Sequence, residues 1–225
     1  MTPLKAIAAG MALQLAAVGA PVAQQDAVTR LFPAHPTGYV TDVAGIMDAS
    51  ARSAAESLLT RLRAATGAEV AVVTLPTIDD RDEGEVALAI GRAWGVGAKA
   101  AIGEARRNAG LVLLVVPRQN GVAGTGHVRI EVGQGLEGIV TDATAGRIRR
   151  EVMGPLLSQE RYGSAVLAGV RALASTIATG FGVKDSTLTA YRVPPPTEDV
   201  TLPNWLPLVL FLVFFIVTGI FQRAV

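Results

Sequence analysis

No cysteine occurs among the 225 residues, so disulfides, thiol catalysis, iron–sulfur clusters and cysteine-built zinc sites are excluded. Histidine is scarce as well, with two copies, and aromatic residues make up 5%. Lys+Arg 20 against Asp+Glu 19 leaves a net charge of +1. Without a positive field or aromatic platforms, nucleic acid is not an expected partner. The sequence also lacks a G-x-S-x-G elbow, a P-loop, an H-E-x-x-H pair and a cysteine–arginine phosphatase loop, the signatures of common hydrolases and nucleotide enzymes. What it has in abundance is apolar residues, at 50% with only 17% charged, and a mean hydropathy of +0.41. That balance excludes a disordered chain and points to lipid.

Both ends account for the excess. Lys5 precedes an uncharged run from Ala6 to Gln25 that is too short to span a bilayer comfortably and has the layout of a signal peptide. Residues 1–23 are assigned to it, with cleavage between Ala20 and Ala23. Near the other end no charged residue occurs between Asp199 and Arg223. Residues 202–222 are therefore expected to form a transmembrane helix, since roughly 20 residues at about 1.5 Å rise match the hydrocarbon thickness. Arg223 follows the run while Glu198 and Asp199 precede it, a positive-inside bias that places the preceding residues outside the cytoplasm. The expected partner of residues 202–222 is the lipid bilayer, in a single-pass membrane protein with a periplasmic or extracellular domain.

Residues 31–182 read as an α/β domain, and 183–201 as a linker stiffened by Pro194-Pro195-Pro196. Asp48 opens a helix with Ala51, Ala55, Leu58, Leu59 and Leu62 on one face, ending near Gly67. Glu69 to Leu75 is β-rich and stops at Pro76. A second helix is expected from Asp82 to Trp94, with the acidic run Asp79 to Glu85 as its negatively charged start. Leu111 to Val116, apolar throughout, is expected as a central strand buried on both faces. Val128, Ile130 and Val132 alternate with Arg129 and Glu131 in a half-exposed third strand, reached by a hairpin through Pro117 to Gly126. Two or three helices follow between Asp142 and Phe181. The fold class is α/β, an α/β/α sandwich with a small mixed β-sheet flanked by helices, plus a C-terminal transmembrane helix.

Gly133-Gln134-Gly135-Leu136-Glu137-Gly138 satisfies G-x-G-x-x-G, but Ile139-Val140-Thr141 intervene before the next helix and the strand returns from a hairpin. The dinucleotide fingerprint needs a parallel crossover, so no nucleotide cofactor is expected. These glycines are read instead as a loop with positive φ angles bringing Glu137 toward the top of the sheet. His35 and His127 show no paired ligand spacing.

Four ordered blocks resemble the TPM domain family: Gly38 to Met47, Thr66 to Thr74, Gly110 to Val116 and Val128 to Gly138. The resemblance covers Tyr39 to Ile177, and bacterial members share the order of signal peptide, domain and single transmembrane helix. It implies an α/β/α sandwich and two kinds of function. Some relatives act as accessory proteins of membrane complexes; plant members have been assigned acid phosphatase activity and calcium binding. By position, the resemblance implies an oxygen-rich metal set of Asp42, Asn108, Glu137 and Asp142, taking Ca²⁺ or Mg²⁺ because hard oxygen ligands favour those ions. Asp42 and Asp142 are equally readable as turn and helix-cap residues. No residue is identifiable as a nucleophile with its base, so a phosphatase would depend on metal-bound water. The expectation is thus an accessory or interaction module with an unidentified membrane or envelope protein as partner; the alternative is a metal-dependent acid phosphatase acting on small phosphomonoesters.

Overall fold

The computed structural model describes residues 28–97, 108–122, 124–192, 209 and 211. Its first compact unit is Met1–Pro194 and its second Pro195–Val225. The expected signal peptide (1–23) lies outside the described residues, and so does the expected span (202–222) apart from Val209 and Phe211, which are helical and exposed. Among the described residues no helix is long and apolar enough to cross a membrane.

The first unit is built on a mixed four-stranded sheet of order β1-β2-β3-β4, with β1 at Val40–Asp42, β2 at Glu69–Thr74, β3 at Gly110–Val116 and β4 at His127–Val132. β1, β2 and β3 are parallel, and β4 runs antiparallel to β3. β3 is buried at every position, as a strand covered on both faces must be. Helix α1 (Ala49–Thr66) starts where the Asp48 carboxylate accepts the Ala51 amide and stops at Gly67 in the left-handed region. Helix α2 (Glu83–Trp94) is capped by Asp82, which accepts from the Gly84 and Glu85 amides. The acidic run is therefore a helix start, as its charge pattern indicates.

Strand alternation divides the core in two. Val70, Val72, Leu111, Leu113 and Val115 face a cluster completed by α1 and by the later helices. Ala71, Val73, Val112 and Leu114 face the other way, against Val86, Ala87 and Ile90 of α2 and Phe32. On the first face follow α3 (Asp142–Arg147), a π-helical segment (Ile148–Met153), α4 (Gly154–Leu157) and α5 (Tyr162–Gly180); a short α6 spans Ser186–Thr189. Helices thus flank both faces of the sheet.

Two details depart from the sequence reading. β1 is a fourth strand, three residues long, in a block with too few positions to show a period. α1 holds its start: the Glu56 carboxylate accepts from Tyr39 N (3.1 Å) and Val40 N (2.8 Å). The glycine loop after β4 also differs, because neither Gly133 nor Gly138 has a positive φ. Gly133 is demanded by proximity instead, since a Cβ there would lie 2.5 Å from the Asn108 carbonyl oxygen and 2.7 Å from that of Gly110.

Candidate functional site

Parallel strands give a sheet two unlike ends. At the end where β1, β2 and β3 finish stand Asp42, Thr74 and Val116, with the start of β4 beside them. At the opposite end stand Glu69, Gly110 and the residues that leave β4. Of the four residues implied as metal ligands, Asp42 is at the first end. Asn108 and the loop carrying Glu137 are at the second, where the Gly135 amide donates to the Asn108 carbonyl (3.1 Å). Asp142 opens α3 next to the Thr141 cap and lines a recess of about 280 Å³ beside β4, between Arg129 and Arg149. The four are not brought together. The reason is topological: β3 carries the chain from the second end to the first, and the β3–β4 hairpin carries it back.

Each residue has a local occupation. Asp42 Oδ1 accepts from Ile46 N and Oδ2 from Met47 N, both at 3.1 Å, and Oδ1 also accepts from the Thr74 hydroxyl. The carboxylate thereby ties the turn before α1 to the end of β2, whose Thr74 carbonyl accepts from Val43 N and Ala44 N. Asn108 has φ +57°, a conformation asparagine tolerates better than most residues, and is exposed. Glu137 and Asp142 are exposed too. Among the described residues no group of three or more histidine and carboxylate side chains is placed to hold a metal ion. This set does not fit a Ca²⁺ or Mg²⁺ cage, which takes converging oxygens with free lone pairs.

Ion pairs serve the frame. Arg63 meets Glu69 at 2.7 Å, and the same Glu69 oxygen accepts the Gly97 amide. Hydrogen bonding to Glu69 raises the Arg63 pKa above its ordinary value. Arg129 meets Glu131 at 2.7 Å and is raised by the same cause. His127 Nδ1 is 3.4 Å from Glu83, with no second ligand among the described residues. None of these three ion pairs combines a nucleophile with an adjacent base.

The feature that sequence reasoning missed lies on the other side of α5. An open groove of about 840 Å³ runs between α3, the C-terminal half of α5 and the stretch 189–192, with Arg147, Thr176, Thr179, Tyr191 and Arg192 among its walls. The Ser175 hydroxyl donates to the Tyr191 carbonyl and anchors that stretch. Arg147 Nε and Glu151 Oε2 are buried with no hydrogen-bond partner among the described residues. Both belong to the turn where α3 passes into the π segment, a type of distortion found often at functional sites.

The TPM domain matches residues 40–176. The N-terminal domain of a protein from P. gingivalis, solved by NMR, is similar at 31% identity with a TM-score of 0.55, covering 65% of this chain and 85% of that one. The N-terminal domain of a Corynebacterium glutamicum protein is similar at 17% identity with a TM-score of 0.45, covering 74% and 90%. A comparison with curated proteins found no match.

Proposed function

The chain belongs to the TPM domain family, and from that membership we propose that it is a membrane-tethered accessory module, its α/β domain held outside the cytoplasm to engage a membrane or envelope protein. The observation that carries this reading is the state of Asp42: both carboxylate oxygens are occupied by the Ile46 and Met47 amides and the Thr74 hydroxyl. A carboxylate so engaged serves as a structural anchor, which favours the accessory reading over one that needs Asp42 as a metal ligand or base. The tether is supported by sequence, through the uncharged run from Leu202 to Phe221 and the Lys5-led apolar run before it.

Two measurements on the full chain test this. With no native cysteine, Ala93→Cys at an exposed position of α2 gives a single thiol; it is expected to react with an impermeant maleimide on intact cells, and the protein to stay with membranes through alkaline carbonate. Hydrolysis of p-nitrophenyl phosphate is expected at background with Ca²⁺ or Mg²⁺. A shielded thiol or carbonate release overturns the tether; cation-dependent hydrolysis abolished by Asp142→Ala overturns the accessory role.

A further inference from the structure

The groove beside α5 is basic. Arg147 and Arg192 supply two guanidinium groups, and among the described residues no aspartate or glutamate lines it. Neither arginine has an ion pair among those residues. Arg147 Nε is buried without an acceptor and Glu151 Oε2, four residues on, without a donor, so what Arg147 offers the groove is the outer part of its guanidinium group. The Tyr191 side chain adds a hydroxyl group. Donors on separate walls suit a tetrahedral anion, whose oxygens point in several directions, better than a planar carboxylate taken by one guanidinium fork. The volume suits a phosphate carried on an organic group.

Position selects the source. Arg192 is followed by residues 193–201, and the apolar run begins at Leu202. A stretch of that length reaches at most about 30 Å, so on the tethered reading lipid headgroups are offered to the domain at high effective concentration. We propose that the groove binds the phosphodiester headgroup of an anionic lipid in the membrane that anchors the chain, an inference that rests on the tethered reading above.

The test uses the full chain in lipid nanodiscs with Thr179→Cys as the only thiol and neutral N-ethylmaleimide as the probe. Phosphatidylglycerol discs are expected to slow labelling about fivefold relative to phosphatidylcholine discs, as a mostly occupied site would. Ala93→Cys, on the opposite face of the sheet, is expected to label equally in both. Arg147→Gln is expected to abolish the protection; should it fail to fold, Arg192→Gln at an exposed position carries the same expectation. Equal labelling of Thr179→Cys in both discs overturns the inference, as does protection that survives these substitutions. Protection by added inorganic phosphate without protection by phosphatidylglycerol assigns the groove to a soluble anion and overturns the lipid assignment. A chain that does not co-elute with discs sinks the tether and the inference with it; one that co-elutes but shows no lipid dependence sinks the inference alone.

Discussion

At residue 42 a single carboxylate does the work of a hinge pin, holding two amides of the following turn and a hydroxyl of the neighbouring strand. Asp42→Ala is expected to lower stability by about 2 kcal/mol, in the range for hydrogen bonds to a charged group. Urea unfolding with calcium and with chelator should give the same loss; a loss seen only with calcium would return Asp42 to a metal site. Gly133→Ala forces a methyl against two carbonyl oxygens and is expected to cost about 3 kcal/mol, the upper end for overpacking, read in the same assay. Acid sensitivity has its own residues. The Ser50 hydroxyl, then the Ala51 amide, hold Asp48 below its ordinary 3.8, and the Thr187 hydroxyl does so for Asp185. Depressed folded-state values give stability that is complete above the unfolded pKa and drains as pH falls through the folded one. Asp48→Asn, which caps without titrating, should flatten the fall of Tm below about pH 4; an unchanged profile would refute it. Sequence disclosed Asp48 because caps follow a short local rule. It left Asp42 readable as a ligand or as a turn residue, since its partner Thr74 is 32 positions away.

Among elements, legibility followed length and local pattern. Helices α1 and α2 and strands β2 and β3 show clear periods with stop signals, so their limits in the chain nearly match those in space. β1 offers three residues, and the π segment differs from an α-helix by one residue per turn with no compositional mark. Asp82→Ala removes the α2 cap and is expected to cost about 1 kcal/mol by thermal unfolding; no change would mean that Glu83 and Glu85 suffice. Glu56→Ala strips Tyr39 N and Val40 N, at the start of β1, of their acceptor and is expected to cost about 2 kcal/mol, measured by urea unfolding.

For the molecule as a whole, the sheet sandwiched between two apolar clusters sets a gradient of protection. Amide exchange should be slowest in Leu111–Val115, whose side chains are almost wholly buried, and much faster at the exposed residues 119–122; uniform exchange would contradict a single cooperative core. The groove stayed invisible in the sequence because its walls come from residues 138 to 192, with no motif linking Arg147 to Arg192.

One earlier detail bears on how copies of this protein live side by side. The Glu56 carboxylate sits across the flank of the first strand, where an open row of amides would otherwise template a neighbour's backbone. At this edge of the sheet an acidic side chain takes the amides that a neighbouring copy's backbone would otherwise pair with, so Glu56 acts there against edge-to-edge pairing.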